Sequence, residues 1–328
     1  MNPQSALRAL QDAFDAEAFG RSYGLRAESA AASMFTSKLA VEPRHQLEVG
    51  TFMHGGCIAA LCEQTNRFAA RTLLPEATPA VTTELQTSYL AGASGRHLVC
   101  RASVVAVARH GFIVDCTVHT GPDAPSRLVT SCRSTVAVMD RGMPAWANAV
   151  SRDSSLGHVD ARADDEWRTL IREDYSQGWR RFCGMRPSRA ARGVVEIGHA
   201  VEARHVDADG CVLPGLIAPF ADDVGGACAY STSSAGERMA TLDFTLTLLN
   251  RPMRARALLG RARTIKAGKA VVVSKVDIFG LTPQREELLA TSLVTVTRVP
   301  GHERVLRELP LAAAAVAEPA LNPREGAP

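Results

Sequence analysis

Aromatic residues are scarce in this chain, at 5% of 328 positions, and the formal net charge is only +3. A basic, aromatic-rich surface for stacking bases is therefore not expected, and neither is nucleic-acid binding. No apolar run approaches the ~18 residues of a membrane span. The N-terminus, MNPQSALRALQDAFDAEAFG, lacks a basic start followed by an apolar block, so it does not read as a secretory signal. The eight cysteines include no CxxC pair and none at zinc-finger spacing to a histidine. No metal site is expected from them. Most lie inside apolar runs, such as Cys100 in HLVCRASVV and Cys116 in FIVDCTV, and read as small core residues in a reducing, cytoplasmic setting. Walker loops, Rossmann fingerprints and nucleophile elbows are also missing, so no cofactor is expected.

Hydrophobic residues make up 46% and charged residues 22%. The length fits two domains of roughly 150 residues each, with enough apolar material for two cores that fold without staples. The sequence repeats itself. HGGCIAALCEQ begins at His54, and LPGLIAPFADD begins 159 residues later at Leu213. TELQTSYL from Thr83 matches LDFTLTLL from Leu242 at the same offset, while LVCRA from Leu98 matches LLGRA from Leu258 at an offset of 160. LVTSCRSTV from Leu128 matches LLATSLVTV from Leu288, again at 160.

Each copy has an extended segment (SMFTSKLAVEP; GVVEIGHAVEARHV), then a long apolar helix, then β-branched strands. The strands are expected near 81–90, 97–108, 111–120 and 128–139, and near 239–249, 256–267, 270–280 and 287–299. A helix with few charges on any side must be buried, so the sheet has to wrap it. The fold class is α+β: two tandem repeats, each a long central helix wrapped by an antiparallel sheet. The repeats are placed at 1–140 and 159–303, joined by a polar linker at 141–158 and followed by a loose tail at 304–328. Each also opens on an amphipathic segment, SALRALQDAFDAEAF or DDEWRTLIREDY.

The motif MHGG, Met53–Gly56, sits where a loop turns into the first central helix. Unpaired N–H groups at a helix start can stabilise a developing oxyanion. HGG followed nine residues after the histidine by a carboxylate, Glu63, resembles the phenylacetyl-CoA thioesterase (PaaI-like) branch of the hotdog superfamily, which also contains the 4-hydroxybenzoyl-CoA thioesterase type. The resemblance spans about 33–140 and 192–300, and implies a double hotdog fold and hydrolysis of an acyl-CoA or acyl-carrier-protein thioester. In the second copy the carboxylate position holds Asp222, while Leu213 and Pro214 replace the histidine and first glycine.

Nine helical residues span about 13 Å at ~1.5 Å each, so a helix-start amide and the carboxylate on the same helix cannot hold one thioester. A site must pair the start of one helix with the acid of the other: Gly55 with Asp222, or Pro214 with Glu63. Proline has no N–H to donate, and losing one oxyanion donor costs about 10²–10³ in rate. One working site is expected, with His54, Gly55 and Gly56 facing Asp222 as nucleophile or general base.

Plainer readings stand beside these. His54 would cap the helix, and Glu63 would pair with Arg67 one turn on. Asp222 and Asp223 would be first-turn acids of a helix that starts late, at Pro219. The sequence also departs from the family: Arg67 and Gly226 stand where it often has Ser or Thr, and Glu48 stands six residues before the histidine. Phe52, Met53, Phe68, Phe220 and Tyr230 suggest a medium aliphatic or aryl acyl group. Arg251, Arg254, Arg256, Arg261, Arg263, Lys266, Lys269 and Lys275, with no intervening acid, read either as a contact for coenzyme A phosphates or a carrier protein, or as a solvated strand face. Two further functions share the fold: a hydratase or dehydratase using His54 and Asp222, and a non-catalytic acyl-thioester binder. Two such chains could also associate as a homodimer.

Overall fold

The computed structural model describes residues 3–47, 52–76, 78–121, 126–138, 175–176, 178–233, 237–251, 255–283 and 285–299. The linker 141–158, the tail 304–328, Glu48 and Arg254 lie outside them.

The first repeat runs α1 (Pro3–Ala16), α2 (Ala18–Ser22), β1 (Leu25–Ala31), β2 (Met34–Ala40), α3 (Gly55–Arg71), β3 (Ala80–Tyr89), β4 (His97–Ala108), β5 (Gly111–Thr120) and β6 (Leu128–Val138). The second repeats that order as α4 (Gly178–Cys183), β7 (Met185–Ala191), β8 (Val194–Ala200), α5 (Pro214–Tyr230), β9 (Arg238–Leu248), β10 (Ala257–Ala267), β11 (Val271–Leu281) and β12 (Glu286–Val299). The long strands lie within a residue or two of the positions read from β-branched patterning. The first hairpin of each repeat was only half legible: β1 (LRAESAA) and β7 (MRPSRAA) are polar edge strands with little alternation to mark them.

All twelve strands form one antiparallel sheet in the order β1-β2-β4-β5-β6-β3-β9-β12-β11-β10-β8-β7. The halves join through β3 and β9, where Gln86 lies opposite Thr245. Each half wraps its own central helix, and the two helices pack against one another. Fifteen of the seventeen residues of α3, and as many of α5, are buried. Gly56 permits the close approach: a Cβ there would stand 3.1 Å from the backbone carbonyl of Pro219. Phe68 of α3 forms an aromatic cluster with Phe14 of α1 and Phe35 of β2, with centroids 4.9 to 5.5 Å apart. Geometry of that kind adds about 0.5–1.5 kcal/mol per pair beyond burial.

Pro219 does not begin the second helix. α5 starts at Pro214, whose missing N–H is one that helix starts leave unpaired anyway, and runs straight through Pro219. The late-start reading of Asp222 and Asp223 is therefore corrected: both lie in mid-helix and both are buried. The lead-in helices cross over. Trp179 on α4 reaches the first repeat, its backbone N–H donating to the Gln46 carbonyl at 3.0 Å and its ring stacking 6.0 Å from His54. Phe19 on α2 makes the matching contact at Gly215 in the second repeat. No described helix is long and apolar enough to cross a membrane.

Candidate active site

The crossing of α3 and α5 puts the start of each helix against the middle of the other. A Cβ on Gly55 would lie 2.8 Å from Asp222 Oδ2, and one on Gly215 would lie 3.0 Å from Glu63 Oε2. Gly55 therefore lies against Asp222, while Glu63 lies against Gly215, one residue past Pro214, and the surroundings of the two acids differ.

At the first, the Gly55 N–H opens α3 and has no acceptor among the described residues. Tyr89, on β3, donates its hydroxyl to the Gly55 carbonyl at 2.8 Å and stands 3.4 Å from Asp222 Oδ2. Asp222 is 2% exposed, and its Oδ1 has no hydrogen-bond partner. Burial pushes its carboxyl up to about 6, reinforced by neighbouring Asp223 and opposed by His54, Thr241 and Arg180. A carboxylate desolvated to that degree, with an unused oxygen, is suited to take a proton from water near neutral pH.

His54 caps α3. Its Nδ1 accepts from the Gly56 N–H at 3.0 Å, so the ring proton sits on Nε2 and donates to Asp223 Oδ1, also at 3.0 Å. Both ring nitrogens are thus engaged, and the Gly56 N–H is spent on the cap. Asp223 further accepts from Arg180 Nε at 2.6 Å and from the Tyr175 hydroxyl. Although burial opposes ionisation, Arg180 and His54 hold this carboxyl well below the usual carboxylate range. Adjacent acids are thereby split into a fixed anion and a titratable group.

At the second pairing, Glu63 Oε1 accepts from Thr82 at 2.8 Å and lies 3.4 Å from Arg67 Nε, as the one-turn pairing anticipated. Arg67 also grips Glu17 through two bonds of 2.8 and 3.1 Å. Leu213 supplies no side-chain cap, Pro214 has no N–H, and the Phe19 ring lies 2.8 Å from where a Gly215 Cβ would be. This end is a packed ion-pair cluster with no oxyanion donor at its first position.

Of the other expected contacts, Met53 is buried and its N–H donates to the Ala93 carbonyl at 3.0 Å, while Phe52 is 56% exposed and leans over Gly92. Phe68 and Phe220 are wholly buried in the core. Three members of the basic run are paired: Arg251 with Asp207 and Arg261 with Glu196 and Glu286, all from other segments, and Lys275 with Asp277 two residues on at 3.4 Å. Tyr89, Thr241, Trp179, Arg180 and Tyr175 were not singled out from sequence. Aligning the repeats offers Thr241 as the partner of Thr82, but nothing local marks Arg180 or Tyr175.

Residues 50–126 match the family model of the Thioesterase superfamily. The chain is a tandem double-hotdog protein with that segment in its first repeat. Solved structures share the whole architecture at low identity. A conserved protein of unknown function with hot dog fold from Alicyclobacillus acidocaldarius matches at 17% identity and TM-score 0.58, covering 88% of this chain and 99% of its own. A TesB protein of Mycobacterium avium subspecies paratuberculosis matches at 14% and 0.57, with 90% and 100% covered. An acyl-CoA thioesterase II from Mycobacterium marinum matches at 14% and 0.54, with 86% and 99% covered. No curated protein matches by sequence.

Proposed function

We propose that this chain hydrolyses an acyl thioester, of the acyl-coenzyme A class, at one composite site between its repeats. The observation that carries this reading is Asp222: a buried carboxylate with an unbonded oxygen, set against the open Gly55 amide of the opposite helix. The thioesterase-superfamily segment contains Gly55, and an acyl-CoA thioesterase II has the same architecture. In the proposed reaction Asp222 takes a proton from water as its oxygen bonds to the thioester carbon. The carbonyl oxygen becomes an oxyanion facing the Gly55 N–H at the positive end of α3. Collapse breaks the carbon–sulfur bond, and the leaving thiolate receives the proton held by Asp222.

The engaged nitrogens of His54 count against a dehydratase that uses it as a base. Turnover on a panel of acyl-CoA thioesters tests the reading. Asp222→Asn should lose at least about 10²-fold in kcat, the scale of general-base catalysis, while Glu63→Gln keeps most of its rate. The opposite ranking would assign the chemistry to the other pairing, and tight binding without turnover in the unaltered protein would make it a binder.

A further inference from the structure

Four of the eight cysteines, far apart in sequence, meet inside the first repeat. The sulfurs of Cys62 on α3, Cys116 on β5 and Cys132 on β6 all lie within 4.8 Å of one another. Cys100 on β4 touches the group through Cys62 and Cys116. All four are buried free thiols. Polar side chains point at them: Thr87 Oγ1 donates to Cys132 Sγ at 3.5 Å, and Asn66 Nδ2 approaches it at 3.8 Å while donating to Ser134 at 2.7 Å. Thr65, bonded to Ser37 at 2.6 Å, faces Cys100.

The second repeat provides an internal comparison. At the offsets that align the two copies, Cys62, Cys100, Cys116 and Cys132 correspond to Ala221, Gly260, Val276 and Ser292. Thr65, Asn66, Thr87 and Ser134 correspond to Val224, Gly225, Leu246 and Val294. The fold packs without thiols or their donors in one copy, so its topology does not require them in the other.

We propose that Cys62, Cys116 and Cys132, with Cys100 completing the set, form a closed thiolate site for a soft cation of the zinc, cadmium or copper(I) class. Tetrahedral zinc holds sulfur at about 2.3 Å, which sets the sulfurs some 3.8 Å apart. The observed cluster needs a contraction of at most about an ångström. Soft, all-sulfur, water-free coordination selects such ions over magnesium or calcium. Each coordinating thiol yields its proton to solvent, and the hydroxyl and amide donors to sulfur offset the remaining negative charge. Closed coordination of this kind serves stability rather than turnover.

The test refolds the full reduced chain from denaturant with cadmium(II), followed by removal of free metal. The expected result is a cadmium–thiolate charge-transfer band in the ultraviolet, a single ion per chain and a higher melting temperature. Cys62→Ala and Cys132→Ser install the residues the second repeat already uses; each should lose the band while keeping thioester hydrolysis. Thr87→Val leaves every thiol in place and should weaken cadmium retention about 10–100-fold. A chain that refolds with neither band nor thermal shift overturns the proposal. So does a band of equal strength in Cys132→Ser, or loss of free thiols to a Cys116–Cys132 disulfide with no metal bound.

Discussion

His54 Nε2 donates to Asp223 Oδ1 at 3.0 Å across the interface of the two repeats, so the cap of the first central helix is held by an acid of the second. The same acid binds Arg180 and Tyr175, tying the lead-in segment of the second repeat to the helix start of the first. Asp223 is therefore the group through which the first repeat's helix start, the second repeat's central helix and its lead-in segment are held together.

Asp223→Asn tests that role. The amide can still accept from His54, but the charged contact from Arg180 Nε at 2.6 Å is weakened, at a cost of about 1–3 kcal/mol. Because the Asp223 charge helps hold Asp222 up, removing it should lower the Asp222 pKa and extend hydrolysis to lower pH. Melting temperature and the acid limb of the kcat/KM profile report the two effects separately. An acid limb that stays in place, or moves upward, would contradict the coupling.

Asp222 gives a second pH-dependent prediction. Its folded pKa is raised to about 6 from the ordinary 3.8, so the folded state binds more protons than the unfolded between those values. Stability is fully present below pH 4 and is lost as pH rises through 6, by an amount on the order of 3 kcal/mol. The carboxylate is needed ionised as base, so activity should instead rise through pH 6. Asp222→Asn should abolish turnover yet melt higher than the unaltered chain at pH 7.5, with the gap closing near pH 4. Thermal melts across that range decide it; a variant less stable at every pH would refute the buried-charge account.

The fold was legible because burial leaves periodicity. Apolar helices at His54 and Leu213 and alternating strands at matched offsets specify two wrapped helices without any side-chain detail. Helix rise placed the acid of one helix against the start of the other, since nine residues are too long for one site, once the resemblance and the repeat had picked out Glu63 and Asp222. What the sequence did not disclose are contacts that depend on the lead-in segments crossing over. Arg180 is 43 residues from Asp223, and Trp179 lies 125 residues from His54, with no pattern to mark either meeting. The paired state of Arg251 and Arg261 was hidden for the same reason: their acids come from other segments.

The near-twofold relation supplies a matched steric control. Alanine at Gly55 would place Cβ 2.8 Å from Asp222 Oδ2 and 3.1 Å from Tyr89, and alanine at Gly215 would place it 2.8 Å from Phe19 and 3.0 Å from Glu63. Both should cost about 1–3 kcal/mol through overpacking. Only Gly55→Ala should depress kcat strongly, because only there does the crowding displace the proposed base. Denaturation midpoints and steady-state rates for the two variants provide the comparison; equal activity loss would indicate two working sites.

Restoring a backbone donor at Pro214 should not create a second active site. Pro214→Gly returns the missing N–H, but Glu63 remains bonded to Thr82 and beside Arg67, which is itself held by Glu17, and Phe19 still covers Gly215. Placed in the Asp222→Asn background, where the first pairing has lost its base, Pro214→Gly should leave hydrolysis at the level of Asp222→Asn alone. The measurement is burst and steady-state thiol release from an acyl-CoA. Recovery of even a tenth of the original rate would show that proline alone silences the second pairing and that the ion-pair cluster around Glu63 opens for substrate. If activity stays flat, the salt bridges and the Phe19 ring, together or singly, keep that acid out of reach. A triple variant adding Phe19→Ala then separates them, since it uncovers Gly215 while leaving the grip of Arg67 and Glu17 intact.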